Sequence, residues 1–229
     1  MSQDVSPPAQ QSLEQTEQSP PRPPVRFAWP PDRAGQALIL AAAVQALRRG
    51  DLVVLPTDTV YGLAAHPDWP EAIARVYAVK ERPAEKALPL LVESAAQAAT
   101  VCEVSPLAER LMARFWPGGL TLVLAARRES GTLALRMPDH PVPLALIRAL
   151  GAPLATTSAN RSGQPSCTTA AAIQAQLPAG YAVLIDAGPS PGGRDSTVLD
   201  LASTPPRILR GGAIAAADLA AIVGLLAEP

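Results

Sequence analysis

Of the 19 cationic side chains in this 229-residue sequence only two are lysines, Lys80 and Lys86, and they bracket Arg82 in the stretch KERPAEK. Compact ammonium charges beside a planar guanidinium fork suit a polyphosphate better than a single carboxylate. The same segment also reads as a solvated helix end whose basic residues complement the macrodipole. A second polar stretch, TTSANRSGQPS, offers hydroxyls from Thr156, Thr157, Ser158, Ser162 and Ser166 and an amide at Asn160. Such a glycine-containing turn opening onto a helix can present backbone N–H groups to an anion, or can be an ordinary strand-to-helix connection. A third, LPTDTVYGLAAHP, packs hydroxyls, an aspartate and a glycine into one join. Arg136 precedes MPDHP at a strand end, where a guanidinium can clamp a carboxylate, and RDSTV and ILRGG add Arg194, Ser196 and Arg210. Hydroxyl and cation recur together across separate loops, which favours one binding site over several unrelated turns.

Several chemistries find no support. There is no G-x-x-x-x-G-K-[ST] and no G-x-G-x-x-G after a strand, so neither a P-loop nor a dinucleotide fingerprint is present. His66 and His140 are the sole histidines and lack a metal-ligand neighbour at i+4; His66 reads as a surface or capping residue. A net charge of -1 and a pI near 6.1 give no global sign of a nucleic-acid or membrane-surface binder. Cys102 and Cys167 are too few for a disulfide framework, no apolar run reaches about 20 residues, and the first 30 residues lack the order of a secretory signal. The expectation is a cytoplasmic protein.

The elements that must carry these loops are legible in outline. Residues 1–32, rich in Pro, Gln and Ser, read as a disordered tail, and residues 33–229 as one folded domain. AGQALILAAAVQALRRG is a helix with Gly50 as its stop, and DWPEAIARVYAVK another, with Asp68 expected at the N-cap. Strand-like runs recur at DLVVL, LPLLV, LTLVLAA, TLALRM, PLATT, YAVLID and STVLDL. Between most of them lie helical segments such as SPLAERLMARF behind Ser105, VPLALIRALG, TTAAAIQAQL and AADLAAIVGLLAE. This alternation predicts an α/β fold around a twisted, mixed sheet, with ligands bound beyond the strand ends.

Taken in order, PTDTVYGL, KERP, FWPGGLTLVL, LRMPDHP, TTSANRSGQPS, STV and ILRGGAI resemble the YrdC family of L-threonylcarbamoyladenylate synthases, from about Leu52 to Ile214. The resemblance implies a YrdC-like twisted mixed sheet flanked by helices, with a large open cavity, in the single-domain form. It implies ATP-dependent synthesis of L-threonylcarbamoyl-AMP from L-threonine and bicarbonate or CO2, with release of pyrophosphate. The product would pass to a tRNA threonylcarbamoyl transferase for modification beside the anticodon, without tight direct tRNA binding. By the same resemblance Thr59, Arg136, Thr156 and Ser196 hold threonine. Arg82, Lys86, Thr132, Ser158, Asn160, Ser166 and Arg210 hold ATP, and Lys80 and Arg82 serve catalysis. Mg2+ arrives with the nucleotide, and no protein metal site is expected. Two positions depart from the pattern: Pro117-Gly118-Gly119 where many relatives have P-G-P, and Leu91 where archaeal relatives place a histidine. The alternatives are a non-catalytic double-stranded RNA-binding module, weakened by 3% aromatic content, and a carbamoyl-transfer paralogue of the same fold.

Overall fold

The computed structural model of the chain describes residues 23–30, 32–83, 87–128 and 130–227. Its strands are β1 (Val25–Ala28), β2 (Val53–Leu55), β3 (Gly62–Ala65), β4 (Leu90–Leu91), β5 (Leu120–Ala125), β6 (Thr132–Arg136), β7 (Leu154–Ser158), β8 (Val183–Asp186), β9 (Thr197–Asp200) and β10 (Arg207–Arg210). Its helices are α1 (Arg33–Arg48), α2 (Pro70–Lys80), α3 (Ala95–Val101), α4 (Pro106–Phe115), α5 (Pro141–Leu150), α6 (Ala170–Gln176) and α7 (Ala216–Val223). All ten strands join one mixed sheet in the order β1-β8-β2-β3-β7-β4-β6-β5-β9-β10. The α/β fold with a mixed sheet flanked by helices is therefore as the sequence predicts. Among the described residues no helix is long and apolar enough to cross a membrane.

Side-chain alternation splits the sheet into a packed face and a working face. On β5 and β6, Leu120, Leu122, Leu124 and Leu135 point into a core with Leu199 of β9, roofed by α4 residues Leu111 and Met112 and α7 residue Leu219. Each such leucine, fully buried, stabilises the fold by about 1.5–3 kcal/mol relative to exposure. The intervening positions, Thr121 and Val123 on β5 and Thr132, Ala134 and Arg136 on β6, must then face the other way. In the other half of the sheet α1 and α5 pack on one face, around Leu47, Leu146 and Ile147, and α2 and α6 on the opposite face, around Val76 and Ile173.

Helix starts are set locally. Asp32, Ser94, Ser105 and Thr169 each accept a hydrogen bond from a backbone N–H of the helix they precede. Asp68 does not cap α2, which starts one residue later than expected, behind Trp69 with Pro70 in its first turn. Asp68 donates its own N–H to His66 Nδ1 at 3.2 Å instead, so His66 serves the turn.

The tail boundary needs correction. Val25–Ala28 form a strand paired in parallel with β8, Arg26 meets Asp186 at 2.6 Å, and Phe27 and Trp29 pack against the core beneath α1. Edge-strand pairing and two aromatic rings offset the ordering entropy that the surrounding Pro and Gln content could not. The ordered chain thus begins by residue 23, not 33; residues 1–22 lie outside the described residues.

Candidate active site

The β2–β3 hairpin places the opening loop at the centre of the sheet. Gly62, whose added Cβ would sit 2.8 Å from Thr156 Cγ2, lets β3 approach β7 closely there. Within the loop the hydroxyls are divided between turning the chain and facing outward. Thr57 Oγ1 donates to the Val60 carbonyl at 2.7 Å and accepts from the Thr59 N–H at 3.1 Å. Its single hydrogen being spent, the 3.0 Å contact between the two threonine hydroxyls requires Thr59 to be the donor. A second clasp comes from the loop before β9, where Gly192 and Gly193 donate to the carbonyls of Asp58 and Thr59. A Cβ at Gly192 would fall 2.5 Å from the Asp58 oxygen, so only glycine permits this approach.

Arg136, buried at the end of β6, closes the corner. Its Nε donates to Gly118 O at 2.9 Å, its Nη1 to Thr59 Oγ1 at 2.9 Å, and its Nη2 to Asp58 Oδ1 at 2.5 Å. Three of five guanidinium donors are used, leaving one N–H on each of Nη1 and Nη2. Asp58 Oδ1 also accepts from the Asp139 N–H at 3.0 Å, tying the MPDHP bend to the same carboxylate. Burial lowers the Arg136 pKa, while Asp58 opposes that shift.

Over the working face lies a cavity of about 360 Å3. Its floor includes Thr121 and Val123, Thr132 and Ala134, and Thr156 and Ser158; its polar wall adds Thr59, Arg136 and Ser196. Arg82 and Arg210 line it together with, among the described residues, one carboxylate, Asp195. Arg210 is oriented by Ser196, donating to its carbonyl from Nε at 3.1 Å and from Nη2 at 2.8 Å, and to its hydroxyl at 3.0 Å. Ser196 Oγ lies 2.8 Å from Thr121 Oγ1. Burial lowers the Arg82 pKa, and the charge of Arg210 adds to this against an opposing Tyr77 contribution; Arg210 acts in the same sense on Arg136. Arg210, whose charge acts on both Arg82 and Arg136, and a lining with one carboxylate among the described residues make this region one prepared for anions.

Of the residues expected to bind, Thr59, Arg82, Thr132, Arg136, Thr156, Ser158, Ser196 and Arg210 line this one cavity, as does Leu91. Lys86 lies outside the described residues. Ser166 is not among the lining residues but donates to one of them, Asp195, at Oδ1 over 3.1 Å. Two residues expected to act at the site, Lys80 in catalysis and Asn160 in ATP binding, are not among those that line the cavity. Lys80 is 2% exposed and its ammonium donates to the carbonyls of Ser158 and Asn160, both at 2.5 Å, and to Asn160 Oδ1 at 3.2 Å. Asn160 is also buried, its amide donating to the carbonyls of Arg161 and Gln164. Both side chains are saturated by protein partners behind the cavity wall. Asp58, Thr57, Thr121 and Asp195 were not singled out by sequence. Thr57 and Asp58 left a trace there, as a hydroxyl and a carboxylate in a loop too polar for a plain turn, and Asp195 as part of RDSTV.

A family model for Sua5/YciO/YrdC proteins, described as telomere recombination, matches residues 45–212. The chain belongs to this family. It is 39% identical over 195 residues to the threonylcarbamoyl-AMP synthase of Bacillus subtilis, covering 81% of this chain and 56% of that protein. It is 38% identical over 184 residues to the threonylcarbamoyl-AMP synthase of Vibrio cholerae, covering 76% of this chain and 97% of that protein. The chain thus spans just over half of the Bacillus relative and nearly all of the Vibrio one. Among solved structures, P. abyssi Sua5 complexed with L-threonine superposes with a TM-score of 0.80 at 35% identity, covering 87% of this chain and 60% of that one.

Proposed function

We propose that this family member condenses L-threonine, bicarbonate or CO2, and ATP into L-threonylcarbamoyl-AMP and pyrophosphate, in the cytoplasm, and hands the product to a tRNA threonylcarbamoyl transferase. The observation that carries the proposal is the division of one cavity between a closed corner around Arg136 and an arginine-lined mouth at Arg82 and Arg210. The names of the Bacillus and Vibrio relatives, and the threonine bound by P. abyssi Sua5, support it.

In this reading the two uncommitted N–H groups of Arg136 take the amino-acid carboxylate. Thr59, having donated its hydrogen to Thr57, and Thr156, which donates to Leu154 O at 3.1 Å, offer lone pairs to the amine and the β-hydroxyl. The neutral amine adds to CO2 and loses a proton, giving a carbamate. One carbamate oxygen then forms a bond to the α-phosphorus of ATP as the bond from that phosphorus to the bridging oxygen breaks and pyrophosphate leaves. No covalent enzyme intermediate is needed: the chain's work is to hold two anions in line and stabilise the growing charge, through Arg82 and Arg210.

Mg2+ is proposed to enter on the nucleotide and to supply phosphate neutralisation. Among the described residues no group of three or more His, Cys, Asp or Glu could hold a metal ion, and Asp195 is the one lining carboxylate that suits a phosphate-borne ion. The test is mass spectrometry of the product formed from ATP, bicarbonate and isotopically labelled threonine. A labelled threonylcarbamoyl-AMP is expected; ATP consumption without labelled product contradicts the proposal.

A further inference from the structure

Lys80 is the last residue of α2, and five contacts bind this helix end to the turn that follows β7. Its ammonium holds the carbonyls of Ser158 and Asn160 and the Asn160 side-chain oxygen. Its own carbonyl accepts from the Ser162 N–H at 2.9 Å, and the next residue, Glu81, pairs with Arg161. Ser158 sends its hydroxyl hydrogen to Asn160 Oδ1 at 2.5 Å, so towards the cavity it presents only lone pairs. Thus the position of a lining residue, Ser158, and the start of the segment carrying Arg82 are both fixed by an ammonium that does not reach the cavity.

This cation is buried with no carboxylate bonded to it among the described residues. Three carbonyl-type acceptors satisfy its hydrogens without cancelling its charge, an arrangement that costs stability unless a negative charge lies within range. Among the described residues, the charged and titratable groups that act on it are Arg82 on its own segment, Asp195 in the loop before β9, and Cys167 in the loop before α6. Arg82 opposes its charge and the other two favour it. Asp195 and Arg82 both line the cavity, so two of the groups that set the charge of Lys80 are ones a ligand bound there would meet.

We propose that Lys80 is a positioning residue whose buried ammonium sets the Ser158–Asn160 turn and takes up a proton when a polyphosphate enters the cavity. The inference rests on the anionic substrate of the proposed function. Burial, and next the charge of Arg82, push the Lys80 ammonium down to about 8 from its ordinary 10.5. Near pH 8 the free protein therefore holds this proton only part of the time. An anion nearby favours the charged form, so binding draws a proton in and affinity weakens as pH rises through that range.

The experiment is calorimetric titration of the full chain with ATP alone at pH 7 and at pH 8.5, in buffers of different ionisation enthalpy. Without threonine and bicarbonate there is no turnover. Net proton uptake on ATP binding is expected for the unaltered protein, larger at pH 8.5 than at pH 7, since the free protein gives up this proton as pH rises. The variant K80R keeps the cation in all conditions and should bind ATP with no uptake, and a pH-independent affinity between pH 7 and 9. K80M, which removes charge and donors together, should also show no uptake, with weaker binding. Uptake that persists in either variant, or ATP binding to the unaltered protein without uptake, overturns the inference while leaving the proposed function standing. Absence of any ATP binding by the unaltered protein overturns the nucleotide reading itself, and this inference with it.

Discussion

The two ends of the cavity use the same side chain in opposite ways. Arg136 is 7% exposed and meets a carbonyl, a hydroxyl and a carboxylate of the protein, so its plane is set before any ligand arrives. Arg210 has a side chain 48% exposed and is steered by Ser196, with Asp195 at the longer distance of 3.9 Å. In the proposed function the closed corner holds the small group whose identity must be read, and the open mouth the phosphates, whose charge matters more than their shape. Preorganisation is concentrated where selectivity is needed, because fixed dipoles that need not reorganise discriminate best.

Breaking the corner should give the largest effect. Arg136→Ala leaves Asp58 as a largely buried carboxylate without its cation, a loss on the scale of about 3–5 kcal/mol. Denaturant unfolding should show that fall in stability, and threonine-dependent activity should vanish with it. Breaking the mouth should separate activity from stability. Arg82→Ala should lower turnover by about 10²-fold, the scale of removing one preorganised charge-stabilising group, while the unfolding midpoint stays within about 1 kcal/mol of the parent. Equal stability losses at Arg82 and Arg136 would erase the contrast between the two ends. The gentlest change sharpens it: Asp58→Asn keeps an oxygen for Arg136 and for the Asp139 N–H but removes the charge. Threonine KM should rise by about tenfold, the equivalent of about 1.4 kcal/mol, with kcat for saturating substrate little changed. A fall in kcat with unchanged KM would mean that Asp58 acts on the reacting atoms and not through Arg136.

The sequence disclosed the elements with strong local signals and missed those whose reasons are tertiary. Ser105 before an amphipathic run announced α4, and alternating leucines announced β5. In contrast β3 is four small or apolar residues, GLAA, buried on both faces, with no β-branched side chain to mark it as a strand. β1 hides in a proline-rich context and is ordered by pairing with β8, far along the chain. At the site, polarity was legible but geometry was not. Arg82 and Lys80 look alike in the sequence, yet one turn at the end of α2 sends Arg82 to the cavity and Lys80 into the protein, where backbone carbonyls substitute for water. Asp58 could be seen in its loop, but its partner Arg136 is 78 positions away and only the sheet brings them together.

The central claim is that the closed corner reads a small amino acid through its hydroxyl. Pyrophosphate release at fixed ATP and bicarbonate, with threonine, serine and valine compared by kcat/KM, tests it most directly. Valine has nearly the shape of threonine but gives Thr59 and Thr156 no hydroxyl partner, a loss that a buried polar site converts into about 10³-fold or more. Serine lacks only a methyl group, worth about 1–3 kcal/mol in a fitted apolar corner. The expected order is threonine, then serine, then valine. Valine equal to or better than serine would contradict the hydroxyl-reading corner, and pyrophosphate release independent of any amino acid would contradict the function.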